Sequence, residues 1–268
     1  MQISAIPEDA PVLPPTGVHL VRANNPGLLS LTGTNTWVLA GREGDATIVI
    51  DPGPPLADHL PAIRALGRPA AIVLTHQHSD HAEAAPALAA EFEIPVYAAL
   101  PKLAEGTTPL AENDAIEAAG WRLSVLATPG HTIDSVCIAI EGALFTGDTL
   151  LGGSTTIIAP PSGSLADYFD TMRRLSALVT TPGFPGHGPA FSSVGAWANH
   201  NAEYRGERLA QLVGVFTRLS EAGDTPSLGA VASTTYGVEG ALVEPYVEAM
   251  TDAQLRFLAE RGDIASWG

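Results

Sequence analysis

The chain has 268 residues, enough for one large domain or one domain with a small appendage. Apolar residues make up 46% and charged residues 16%, which supplies a core and excludes global disorder. The net charge of −16 offers no basic face for a polyanion, so nucleic acid starts as a disfavoured substrate.

Residues 1–15, with four prolines and two acidic residues, read as a loose lead-in. They hold no basic region followed by an apolar stretch, and no apolar run approaches transmembrane length. The expectation is a soluble cytoplasmic protein without a membrane partner. The oligomeric state is not readable. Residues 16–22 alternate weakly, as a strand can, and Asn24-Asn25-Pro26-Gly27 is turn chemistry. Asn35–Ala40 and Ala46–Ile50 are strand candidates joined by a hairpin-like loop at 41–45. The second ends at Asp51-Pro52-Gly53. Asp51 has two compatible roles, a turn cap or a carboxylate standing behind a metal-bound histidine to steady it. Residues 56–66 suit a helix. The short apolar run 70–74 reads as a buried strand, and 82–92, rich in Ala, Leu and Glu, as a helix.

Between those two lies Thr75-His76-Gln77-His78-Ser79-Asp80-His81, on a strand-to-helix loop where α/β folds build sites. His76 and His78 alternate and can point the same way while the chain is extended. Asp80 and His81 then turn with the loop and can face a second point. Further strands are expected at 95–98, Trp121–Ala127, Val136–Ile140 and 143–146, and a helix at 165–179. Cys137, the single cysteine, excludes an internal disulfide and reads as a small buried hydrophobe rather than a catalytic thiol. Three Gly- or Pro-rich turns at strand ends each carry one polar residue: His131, Asp148 and His187. The last sits in a rigid glycine-rich loop at 182–189. His19, His59 and His200 stand alone and read as surface or satisfied structural histidines. Gly152-Gly153-Ser154-Thr155-Thr156 lacks the lysine of a phosphate loop and reads as a flexible rim. Beyond residue 195 no strong strand is visible. Helices are expected at 202–219, 227–236 and 244–261, and the segment 196–268 is itself acidic, net −5.

Five histidines and two aspartates at strand ends suit zinc first, and Mn2+ or Fe next. Seven ligands exceed one tetrahedral ion. Two ions sharing one bridging carboxylate use seven and leave room for a water.

Together these residues resemble the metallo-β-lactamase superfamily. The resemblance implies an αββα four-layer sandwich over residues 1–195, with His76, His78 and His131 at one metal. It places Asp80, His81 and His187 at the other, with Asp148 bridging and two Zn2+ per chain. A narrower likeness, to the subgroup around β-lactamase-like protein 2, rests on Gly33-Thr34-Asn35-Thr36, Asp51-Pro52-Gly53, residues 164–168 and 185–189, and the opening of the tail at 204–211. It implies that 196–268 is a small helical, winged-helix-like domain beside the site.

The expected function is a dinuclear zinc hydrolase. A metal-bridging hydroxide, formed because metals lower the pKa of bound water to about 7, would attack a small ester, thioester or lactone. Asp80 would accept the water's proton. Asp148, where zinc β-lactamases carry cysteine, gives the pattern of glyoxalase II and of the superfamily's nucleases. The alternatives are a metal-dependent endoribonuclease or phosphodiesterase and a non-enzymatic metal-binding protein. Arg173 and Arg174 could touch phosphate but read better as a solvated helix face. The tail is expected to cap the site and shape its pocket.

Overall fold

A computed structural model of the chain describes residues 12–42, 44–222, 226–237 and 244–267. Most of the lead-in and Glu43 of the 41–45 loop lie outside them. Strand β1 (Val18–Arg22) pairs antiparallel with β2 (Asn35–Ala40), and β2 with β3 (Ala46–Ile50). After helix α1 (His59–Arg64), β4 (Arg68–Val73) returns parallel to β3. The helix expected at 82–92 is two pieces, α2 (Ser79–Ala82) and α3 (Ala85–Phe92). Pro86 lies in the first turn of α3, where its missing N–H is tolerated but would break a continuous helix. The short β5 (Val96–Tyr97) completes a sheet ordered β1-β2-β3-β4-β5.

The second sheet takes β6 (Ala115–Ala118), β7 (Trp121–Ala127), β8 (Val136–Ile140) and β9 (Ala143–Gly147) in antiparallel sequence. Helix α4 (Leu165–Leu175) follows, starting where the Ser164 hydroxyl accepts from the Asp167 N–H. Then β10 (Gly183–Pro185) adds parallel to β9, giving the order β10-β9-β8-β7-β6. The rigid loop expected at 182–189 therefore begins as an edge strand, the position where a sheet tolerates Pro185.

Successive strand residues face opposite ways, and this alternation makes the layers. Trp37, Leu39, Ile48 and Ile50 of the first sheet share one buried cluster with Leu123, Val125, Ile138 and Phe145 of the second. Their neighbours Val38, Val49 and Ile72 face outward and are covered by Ile63 of α1 and Leu88 of α3. On the other side Cys137 and Leu144 are covered by Met172 and Leu175 of α4 and by Trp197. The result is the expected αββα sandwich. Cys137 is fully buried there, and burial pushes its thiol up to about 11.

Helix α5 (Val194–Glu221) is longer than expected. The Ser193 side chain caps it by accepting from the Ala196 N–H at 3.0 Å. Its first turns, with Trp197 and Ala198, belong to the body's core, and the expected division at 195/196 falls within them. Farther along, Leu209, Leu212 and Phe216 pack with Val231 of α6 (Leu228–Tyr236) and Leu255 and Leu258 of α7 (Glu244–Glu260). Phe257 of α7 stacks on Phe169 of α4, ring centroids 5.7 Å apart, which fastens this helical unit to the body. No helix among the described residues is long and apolar enough to cross a membrane.

Candidate metal centre

The strand ends of both sheets meet at one edge, and there the sequence's donor residues converge. His76 and His78 lie in the β4–α2 connection, with Asp80 and His81 inside α2. His131 follows β7, Asp148 follows β9 and His187 follows β10. His76 Nε2 and His131 Nε2 each approach His78 Nδ1 to 3.0 Å. His81 Nε2 and His187 Nε2 are 3.1 Å apart, and Asp80 Oδ2 is 3.2 Å from His187 Nε2. Asp148 lies against both groups: Oδ1 is 3.5 Å from His81 Nε2, and Oδ2 is 3.4 Å from His187 Nε2 and 3.9 Å from His131 Nε2. All seven sequence-predicted donors thus come together. His19 is exposed and apart. His59 is buried against the Thr36 hydroxyl at 2.9 Å, and His200 is buried in α5.

The rear nitrogens of four rings are anchored, which orients each ring with Nε2 forward. His81 Nδ1–H donates to Asp51 Oδ2 at 2.8 Å, and His131 Nδ1–H to the Ile157 carbonyl at 2.6 Å. His187 Nδ1 faces the Gly33 carbonyl at 3.3 Å. The Thr75 hydroxyl gives its proton to Asp51 Oδ2 at 2.6 Å, so its oxygen is left to accept from His76 Nδ1 at 3.1 Å. Asp51 also accepts the Thr75 N–H at 2.8 Å. Asp51 and the rings of His76 and His81 lie close enough to suggest a third donor group. Both Asp51 oxygens are already engaged from behind, however, so Asp51 steadies the loop and His81, as expected for a carboxylate behind the site.

Charge follows burial. Desolvation holds His76 well below its ordinary pKa, lowers His78, and brings His131 to about 4, so these three present neutral lone pairs. His81 and His187 go the other way. Burial disfavours their charge, but Asp148 and its neighbours outweigh it, raising His81 strongly and His187 to about 9. Burial would also raise Asp80 and Asp148. The histidines beside them win, keeping Asp80 low and Asp148 well below the usual carboxylate range.

This donor set fits divalent cations. Bonds of about 2.0–2.1 Å place two nitrogens of a tetrahedral zinc site about 3.3 Å apart, close to the nitrogen spacings above. Neutral imidazole lone pairs facing one another lack a partner, and so does the buried Asp148 Oδ1, which has no hydrogen bond among the described residues. Gly186 guards this space: a Cβ there would lie 2.5 Å from Asp148 Oδ1 and 2.6 Å from His81 Cε1.

Three contributors had no role assigned to them by the sequence. Asn35 at the start of β2 donates through Nδ2 to the carbonyls of Pro185 at 3.0 Å and Gly188 at 2.8 Å, tying the His187 loop to the first sheet. A cavity of about 350 Å³ opens over the donors and is lined by Leu28, Leu29, Ile157 and, from the tail, Tyr246. Arg205 of α5 is the third. Its buried guanidinium lies 5.1 Å from the Tyr168 ring centroid and donates to the Thr156 carbonyl, while the Thr156 hydroxyl sits 2.9 Å from His131 Nδ1. The stretch at 152–156, expected as a flexible rim, is therefore a cavity wall fastened to the tail.

Arg205→Met is expected to release that wall and loosen His131. Affinity of the His76, His78 and His131 group for a divalent cation should fall about tenfold, while Arg205→Lys keeps a donor and recovers part of it. Competition against a chromophoric chelator reads this out. Unchanged affinity in Arg205→Met, with its melting temperature preserved, would remove the link between α5 and His131.

Arg173 and Arg174 are exposed and paired, with Asp170 at 3.1 Å and Glu112 at 2.7 Å, as a solvated face should be. Comparison with known proteins agrees with the geometry. The metallo-beta-lactamase superfamily model matches residues 29–187. The Beta-lactamase-like protein 2 homolog of Caenorhabditis elegans is 31% identical over 219 residues, 76% of this chain and 72% of that one. The Atrochrysone carboxyl ACP thioesterase of Aspergillus chevalieri is 31% identical over 75% of this chain, which spans 65% of that relative, just under two thirds. In the solved structure of a metallo-beta-lactamase family protein from Thermus thermophilus, the fold recurs with a TM-score of 0.77 at 19% identity, over 92% of this chain and 94% of that one. With its αββα sandwich, its converging His and Asp donors and these relatives, the chain belongs to the metallo-beta-lactamase superfamily and is a hydrolase of that fold.

Proposed function

We propose that this hydrolase binds two divalent ions, zinc by preference, and cleaves a small ester, thioester or lactone. The observation that carries the reading is Asp148, one carboxylate lying within 3.9 Å of nitrogens from both donor groups. His76, His78 and His131 would hold one ion, and Asp80, His81 and His187 the other, with Asp148 between them. Ions bound there supply Lewis acidity, polarising a scissile carbonyl and acidifying water.

The chain's own groups do the rest. Asp80 is half-buried, ionised and on the cavity wall, so it can take a proton from an attacking water and return it to the leaving group. Asp51 and Thr75 keep His81 and His76 aimed forward. Tyr246, contributed by the helical unit at 196–268, narrows the cavity and supports the idea that this unit shapes the pocket. The thioesterase name of the Aspergillus relative supports a thioester or ester over a phosphodiester. So does the pairing of Arg173 and Arg174 with acidic side chains.

The test combines metal analysis with a substrate panel. Protein purified without chelator should carry close to two ions per chain. It should hydrolyse thioesters in preference to single-stranded RNA, with Asp80→Ala as the inactive control. Full activity at a stable ratio of one ion would refute the dinuclear reading. RNA cleavage that weakens steeply with salt, without thioester turnover, would replace the substrate.

A further inference from the structure

We propose that the substrate carries an uncharged, apolar acyl group that seats against Leu28, Leu29 and Tyr246 while its carbonyl faces Asp80 and Asp148. This rests on the hydrolytic reading and specifies its substrate.

Exposure is the first observation. The described residues include seven large hydrophobics that are exposed, and three of them, Leu28 at 61%, Leu29 at 44% and Tyr246 at 43%, line the cavity over the donors. Scattered exposed leucines need no explanation, but a group of them at a reactive centre marks a surface waiting for an apolar partner. The second observation is that the turn presenting Leu28 and Leu29 is held in place. The Gly27 N–H donates to the Leu31 carbonyl at 3.1 Å, and the Gly33 N–H to the Ser30 carbonyl at 2.8 Å. Leu31 itself adopts φ of 52°, a left-handed conformation that branched side chains rarely take and that persists only where the surroundings enforce it. The two leucines are therefore exposed on a turn that its own backbone holds in shape.

Charge is the third. Among the described residues no lysine or arginine lines the cavity, and the only charged side chains there besides histidine are Asp80 and Asp148. A carboxylate or phosphate at the far end of an acyl group would meet no protein cation there and would lose its hydration without compensation. The size, about 350 Å³, lies at the small end of ligand sites and suits a short acyl chain or a single ring system rather than a polymer segment.

In the reaction a bond forms between the water oxygen and the acyl carbon, and the acyl–O or acyl–S bond breaks. The proton leaves water through the Asp80 carboxylate and reaches the departing alkoxide or thiolate. The products are a carboxylic acid and an alcohol or thiol, with no change of oxidation state.

The experiment uses the metal-loaded full chain and thioesters of one simple thiol with acetyl, butyryl, hexanoyl and adipoyl groups. The adipoyl compound matches hexanoyl in length but ends in a carboxylate. From acetyl to hexanoyl, kcat/KM should rise about threefold to fourfold per methylene, the value of moving a methylene from water to an apolar wall. Adipoyl should fall at least tenfold below hexanoyl. Leu29→Asp and Tyr246→Ala should each pull the hexanoyl-to-acetyl ratio toward one, and Leu29→Lys should raise adipoyl relative to hexanoyl. Metal content and melting temperature, measured on each variant, show that the site is intact. A flat series with brisk turnover, or an adipoyl preference in the unaltered protein, overturns this proposal alone. Ratios that none of the three substitutions move do the same. Turnover of none of these thioesters, nor of the matching oxygen esters or a lactone, by metal-loaded protein overturns both this proposal and the hydrolytic reading beneath it.

Discussion

Asp148→Ala should abolish nearly all hydrolysis, lowering kcat/KM on the order of 10³-fold, because several kcal/mol of transition-state stabilisation depends on ions held in register. Asp148 faces His81, His187 and His131 at once, and among the described residues no other carboxylate spans both donor groups. On the proposed dinuclear reading, its removal should also lower the bound metal from two equivalents toward one or none. Asp148→Asn keeps the shape but not the charge and should fall between. Metal analysis after gel filtration, alongside thioester kinetics, measures both effects. Asp51→Ala is the informative comparison, because Asp51 touches a donor only from behind. If Asp51→Ala and Asp148→Ala retain the same amount of metal, Asp148 is not the bridge.

Stability, more than chemistry, should suffer in Asp51→Ala. The carboxylate is 2% exposed and accepts from the Thr75 N–H, the Thr75 hydroxyl and His81 Nδ1. Alanine would leave buried donors without acceptors at a cost of about 1–3 kcal/mol each, and a shared loop makes the sum less than additive, so about 3–5 kcal/mol in all. The backbone adds to this. Asp51 has φ of 52°, which Asn and Asp tolerate better than Ala. Asp51→Asn should therefore cost markedly less. Urea unfolding of chelator-treated protein isolates this effect from metal binding. Equal midpoints for Asp51→Ala and the unaltered chain would show that the loop holds its shape without the carboxylate.

How much of this could be read beforehand depended on range. The loop from His76 to His81 and the turns with His131 and Asp148 stood out because each follows a short apolar run, a pattern contained in a few neighbouring residues, and His187 stood out by its glycine-rich loop. β2, β3, β7 and β8 were legible for the same reason. β6 was not, because Ala115-Ile116-Glu117-Ala118 has weak strand propensity and is a strand only through pairing with β7. β10 was hidden by its glycine and proline, which a parallel edge position accepts. What Asn35, Arg205 and Tyr246 touch was beyond local reading. Their partners are brought to them by the fold, and a single polar or aromatic residue in a strand or helix does not announce what it will meet.

The donors are spread along the chain, and this bears on how the site comes into being. His81 and His187 face each other across 106 positions, and Asn35 grips the carbonyl of Gly188 across 153. During synthesis at about 5–20 residues per second, the loop with His76, His78, Asp80 and His81 would leave the ribosome roughly 5–20 s before His187 does. Over that interval the growing chain lacks His187, so one of the two donor groups would be an unfinished claw, with arms to touch an ion but not to enclose it. β10 arrives last in its sheet and brings His187 with it, so the final edge strand also acts as the latch. Metal captured before that moment would sit on a chain still choosing its partners, whereas metal captured afterward meets a finished cradle.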